Sequence, residues 1–304
     1  MEPVFIKSLL YYNCERKEVE FQNRDAADSI NSWVSRATGG KICSIIEGPL
    51  PERTAAILLN ATYFKGSWKR PFDSANTRQS TFHLASGRET KCQMMWLSRE
   101  DHAEMMPGQY VRFDPHISCY YPAIPGAPQQ GNGLRKTAGV TLPYGNGSFR
   151  MTILVPLRHY YDSSATIDTL MKQFTWKTWR STLSLFKQDE FDLGLPKFRI
   201  HYGRDLKETL QTLGITKAFD PQQADFSNMF ADGRGWIDRV RQETFVQVDE
   251  SGTEAAAVTA LRWPQSIPPT IVADRPFLVV IYEADSGAIL FIGKIANPSW
   301  DGNR

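Results

Sequence analysis

Residues 244–250 (TFVQVDE) and 277–283 (FLVVIYE) both alternate as β-strands, and the chain between them is the most constraining feature of the sequence. Residues 250–276 read ESGTEAAAVTALRWPQSIPPTIVADRP. Connections without secondary structure rarely exceed about 12–15 residues unless they carry a function. The first half is small and β-compatible, with almost no charge after Glu254. Period-two geometry puts Thr253, Ala255, Ala257 and Thr259 on one face, while Glu254, Ala256 and Val258 face the other way. The first face is small and nearly apolar, so it can pass into the middle of a sheet without clash. Gly252 supplies a backbone hinge.

The second half has a different chemistry. Trp263 is a large aromatic, and Pro264, Pro268 and Pro269 stiffen an extended backbone. An exposed, rigid, extended segment suits a protease cleft. A loop that is exposed yet built to become a central strand implies a conformational switch. The residues alone also leave open a plain surface connection.

The rest of the chain predicts a mixed α+β protein with strands concentrated late. Residues 24–36 place Ala26, Ile30, Trp33 and Val34 on one helical face, with Asp25 as the start and Gly39-Gly40 as the stop. Residues 54–64 (TAAILLNATYF) read as a buried strand, and 149–155 as another. The proline- and glycine-rich stretch 107–135 reads as a long loop. Residues 166–186 read as helical. Residues 191–200 read as a strand interrupted at Pro196, at an edge or bulge. Residues 203–219 hold an amphipathic helix with Leu206, Leu210 and Leu213 on one side, stopped by Gly214. Asp285-Ser286-Gly287 joins 277–283 to 289–295 as a hairpin.

Composition narrows the function. The net charge of +2 gives no reason to expect a nucleic-acid partner. No apolar run approaches the roughly 20 residues that span a bilayer, so no membrane partner is expected. Cys14, Cys43, Cys92 and Cys119 form no CxxC pair, which argues against a metal site and for isolated, mostly buried thiols. No cofactor motif is present, and the five histidines are scattered. The first residues do not read as a signal peptide, because Lys7 breaks the apolar stretch and no small-residue cleavage site follows.

Several motifs in order then carry a resemblance. Glu250, Ser251, Gly252, Thr253, Glu254, Ala255, Ala256, Ala257, Val258 and Thr259 are similar to the hinge of inhibitory serpins. NATYFKGSW at 60–68 resembles that family's strand signature, with Pro71-Phe72 following. LPKF at 195–198, LGITKAF at 213–219, ADFS at 224–227, Asp274, Pro276-Phe277 and FIGKIANP at 291–298 resemble further landmarks.

The resemblance implies a single serpin domain over 1–304, with a reactive-centre loop at about 250–273 and a surface insertion at about 107–135. It implies a non-enzymatic inhibitor of serine-type proteases, monomeric and extracellular, with a cytoplasmic setting as the alternative. The protease serine attacks the loop and forms an acyl-enzyme. The cut loop then inserts into the main sheet, an instance of strand addition known for the family. Counting sixteen residues on from Glu250 gives Ser266 as the attacked residue, followed by Ile267. Counting back from the S-I-P-P segment gives Gln265–Ser266 instead. A small or polar residue at the cut points to elastase-like or chymotrypsin-like enzymes. Arg262 lies only twelve residues after Glu250, which would leave a shorter strand to insert.

Asn60 resembles the family's buried asparagine below the sheet opening, and Trp68 its tryptophan at the loop's point of insertion. Gln242 stands where the family commonly has a histidine partner for that asparagine. The family has roughly a hundred further residues upstream, so the chain reads as lacking the N-terminal third of the fold. That absence favours a second reading, a serpin-like chain that is cleaved without trapping. Asn60 and Asn146 both begin glycosylation sequons. Asn146, in a turn, is the better acceptor.

Overall fold

A computed structural model describes residues 7, 11, 14–21, 23, 25–47, 56–98, 103–106, 110–113, 118–120, 137–157, 166–186, 191–229, 235–251 and 270–300. The chain gathers into two compact units, Met1–Phe64 with Ile200–Gln247, and Lys65–Arg199 with Val248–Arg304.

The first unit pairs a helix with a three-stranded sheet. Helix α1 spans Asp25–Ala37 and buries Ala26, Ile30 and Val34, with Trp33 half-buried. It ends in paired hydrogen bonds, Gly40 N–H to Ser35 O and Gly39 N–H to Arg36 O. Gly39 has φ +58°, so this αL closure needs glycine and fulfils the predicted stop. Strand β1 spans Ala56–Phe64. It corrects the expected buried strand. Ile57, Leu59 and Ala61 pack against the α1 cluster, whereas Leu58 is 47% exposed and Asn60 is exposed. Burial alternates over Ile57–Ala61, while Thr62, Tyr63 and Phe64 are all half-buried.

The other sheet strands of this unit are β10 (Phe198–Asp205) and β11 (Ile237–Val248), in the order β1-β11-β10. β1 and β11 run parallel. The amphipathic helix expected within 203–219 is found, in shorter form. β10 carries the chain to Asp205, and only Lys207–Thr212 form a helix, α4, which buries none of its residues. Leu213 is 75% exposed. Leu206 and Leu213 cap α4 and Gly214 follows at φ +98° as the expected stop, with Leu206 and Leu210 half-buried.

The second unit holds the larger sheets. Its four-stranded sheet is built from β2 (Arg78–His83), β3 (Glu89–Leu97), β9 (Asp192–Pro196) and β12 (Thr270–Val272), in the order β12-β9-β3-β2. β12 pairs only with Asp192–Gly194, so Pro196 meets a strand partner on β3 alone, and the run is interrupted there as expected. Pro196 is the last residue of β9, where one-sided pairing tolerates its missing N–H, and Lys197 separates β9 from β10.

The stretch expected as a loop at 107–135 is partly strand. β4 (Ala103–Met106) and β5 (Tyr110–Phe113) pair antiparallel, and β6 (Ser118–Tyr120) pairs with β7 (Thr137–Tyr144). β6 and β7 join β8 (Phe149–Pro156), β13 (Phe277–Glu283) and β14 (Ile289–Ile295) in a five-stranded sheet of order β14-β13-β8-β7-β6, while β4 and β5 form a sheet of their own. The β13–β14 hairpin falls on the residues predicted for it.

Helices α2 (Ile167–Gln173) and α3 (Trp176–Leu183) cover one face of that sheet. Thr175 and Thr178 form a reciprocal capping box that starts α3. Trp179 is fully buried against Tyr282, ring to ring at 5.3 Å. Each large apolar side chain buried in this way contributes roughly 1.5–3 kcal/mol. The cysteine expectation is corrected: Cys14 and Cys43 are exposed, and Cys92 alone of the three is buried.

Candidate functional site

The site forms where β11 ends. Val248 is buried, and Asp249, Glu250 and Ser251 turn the chain out of the strand. Ser251 N–H donates to Asp249 Oδ1 at 2.9 Å, an Asx turn that stops the ladder.

Trp68 anchors this turn. Its side chain is 2% exposed and stacks on Tyr144 at 4.2 Å and 13°, with Phe72 edge-on at 6.0 Å. Its indole Nε1–H donates to Asp249 O at 2.8 Å, and its backbone N–H to Ser251 O at 3.1 Å. One tryptophan thus holds two successive points of the outgoing chain. Burial pushes the Tyr144 phenol well above its ordinary pKa, and the Asp249 carboxylate pushes it further, so the stacking partner stays neutral.

Glu250 faces the start of β10. Its Oε2 pairs with Lys197 Nζ at 2.7 Å, and its Oε1 accepts the Thr77 hydroxyl at 2.8 Å. Both partners of the ion pair are 17% exposed. Burial pushes the Glu250 carboxyl up. The Lys197 hydrogen bond, a bond from its own backbone and the Thr77 hydroxyl outweigh that and hold it below its usual range. Lys197 also lies over the Trp300 ring at 4.4 Å.

Of the residues singled out from sequence, Trp68, Glu250 and Ser251 come together here. Asn60 and Gln242 come together separately, as register partners across the β1–β11 ladder. Both point to the open face of that sheet, opposite the face that packs on α1. Asn60 is exposed and Gln242 half-buried, which corrects the expected buried asparagine. Asn60 Oδ1 accepts from Thr62 Oγ1 at 2.9 Å. Gly252, Thr253, Glu254, Ala255, Ala256, Ala257, Val258 and Thr259 lie outside the described residues, as do Gln265, Ser266 and Ile267. Sequence reasoning assigned no role to Lys197, Thr77, Tyr144 or Asp249. Lys197 does sit in the LPKF motif, which was the available signal.

Residues 1–298 match the model of one family, Serpin (serine protease inhibitor). The chain is 32% identical to the glia-derived nexin of Rattus norvegicus over 291 residues, 94% of this chain and 66% of that one. It is 31% identical to a serine protease inhibitor of Cyanea capillata over 289 residues, 94% of this chain and 69% of that one. Native protease nexin-1, in a crystal structure with heparin, is similar at a TM-score of 0.77 and 28% identity, covering 98% of this chain and 72% of that one. The chain therefore belongs to the serpin family and has the α+β serpin fold. It spans about two thirds of the length of the curated relatives it matches.

Proposed function

We propose that this chain inhibits serine-type endopeptidases as a suicide substrate, with one serpin domain, a reactive-centre loop at about 250–273 and no enzymatic activity of its own. The observation that carries this reading is the parallel pair β1–β11, with residues 252–269 following directly from the end of β11. A segment that leaves β11 and reverses at Gly252 runs antiparallel to both strands. If β1 and β11 part and the segment enters between them, one parallel ladder is exchanged for two antiparallel ones. Antiparallel pairing is slightly the more stable per residue, and the hydrogen-bond count rises, so insertion runs downhill. The small residues Thr253, Ala255, Ala257 and Thr259 suit that passage.

Attack at Gln265–Ser266 or Ser266–Ile267 leaves a strand long enough to fill the gap. The residues at the cut suit elastase-like or chymotrypsin-like enzymes, met by a monomer outside the cell. The test is thermal. Cleavage between residues 262 and 267 by pancreatic elastase should raise the midpoint of unfolding by tens of degrees. An unchanged or lower midpoint would overturn insertion.

A specific observation favours a second reading. The open β1 face, with Leu58 and Asn60 exposed, gives an incoming strand little to pack against. In that case the chain is cleaved as a substrate and releases the enzyme.

A further inference from the structure

Beyond the family landmark FIGKIANP, the chain continues through Ser299 to Trp300, and this extension is tied to the hinge. Arg199 N–H donates to Ser299 O at 3.1 Å, and Arg199 Nη1 to Trp300 O at 3.2 Å. The Arg199 guanidinium lies 4.1 Å from the Trp300 ring centroid, and the Lys197 ammonium 4.4 Å. Two cations therefore share one indole. The negative π-face attracts both, and Trp offers the strongest such face among the side chains. The Lys197 charge is also matched by Glu250 at 2.7 Å, so the crowding of two cations is offset by a carboxylate.

A lysine ammonium is a compact charge on a flexible four-carbon stem, and it holds a fixed partner only when something fixes it. Here the order is continuous. Arg199 pins the backbone of Ser299 and Trp300, the indole holds Lys197, Lys197 holds Glu250, and Glu250 neighbours Ser251, whose carbonyl takes the Trp68 amide.

We propose that Trp300 is a positioning residue for the hinge, acting through Lys197 to set how readily the chain at Glu250–Ser251 detaches from Trp68. The inference rests on the trap reading for its use, since a hinge that detaches too easily begins to move before a protease arrives. The detachment itself can be measured without any protease.

The experiment is amide hydrogen exchange on the full chain, read by mass spectrometry on peptides that contain Trp68 and Glu250–Ser251. Trp300→Ala should speed exchange of those peptides about fivefold, the factor set by one partly buried cation–π contact. Trp300→Phe should restore most of the protection, because the aromatic face remains. The β13–β14 hairpin peptide should be unchanged in both. In a Lys197→Ala background, Trp300→Ala should add nothing. Equal exchange in wild type and Trp300→Ala would overturn the proposal. So would an undiminished effect of Trp300→Ala when Lys197 is already gone, since the ring would then act by packing alone. A wild-type chain that traps no protease would count against the trap reading and leave this test standing.

Discussion

Asn60 and Gln242 stand opposite each other in the parallel β1–β11 register, yet no hydrogen bond joins their amides. Asn60 Oδ1 is engaged along its own strand by Thr62. Both side chains lie on the open face of the sheet, where water satisfies them at little cost. Gln242→Ala should therefore change stability by no more than about 0.5 kcal/mol, as for a surface substitution. Urea denaturation measures it. A loss of about 2 kcal/mol would show that the two amides act as a buried latch.

The Glu250–Lys197 pair should make stability depend on pH in a defined direction. The folded carboxyl lies below its ordinary value of 4.5. A depressed carboxyl contributes stability that is fully present above the unfolded value and is lost as pH falls through the folded one. Lys197 and Thr77 face the group. The gap between wild type and Glu250→Gln should be about 1–2 kcal/mol and flat above about pH 5, with partial exposure keeping it modest. It should shrink below that pH. Urea midpoints across the acid range check the sign.

Ala257→Arg should turn an inhibitor into a substrate. In the proposed insertion it puts a charge on the inward face, and burying an unpaired guanidinium is costly. Cleavage by pancreatic elastase should continue at the wild-type rate, while the fraction trapped falls at least about tenfold. Trapping at an unchanged stoichiometry would assign the inward face to Glu254, Ala256 and Val258.

Much of this was legible where the chain's instructions are local. The αL glycine that closes α1 and the turn between β13 and β14 are set by residues next to each other, and both fall where predicted. The leucine spacing and Gly214 placed α4 but not its start, because pairing with distant β11 holds residues up to Asp205 extended. The site divides in the same way. Glu250 and Trp68 were visible as motif residues. Thr77 was not, because its bond to Glu250 spans 173 positions and leaves no local pattern. The half-open burial of β1 was hidden for a related reason. An apolar run reports what a strand can bury, not how many faces are covered.

Asn146 should carry the glycan when the chain passes through a secretory pathway. It is exposed in the β7–β8 turn, and its Oδ1 accepts from Ser148 N–H at 3.0 Å. Asn60, though exposed, sits within a paired strand whose backbone is less available to a transferase. Intact mass should show one glycan, lost in Asn146→Gln and kept in Asn60→Gln. The reverse pattern would mean that the acceptor is modified before β1 pairs.

The trap is tested most directly by incubating the purified chain with pancreatic elastase or chymotrypsin and weighing the products under denaturing conditions. The expected product is a covalent species at the summed mass of protease and chain, less a released C-terminal peptide that begins at Ser266 or Ile267. Cleavage at those bonds with free, active protease and no such species would contradict trapping.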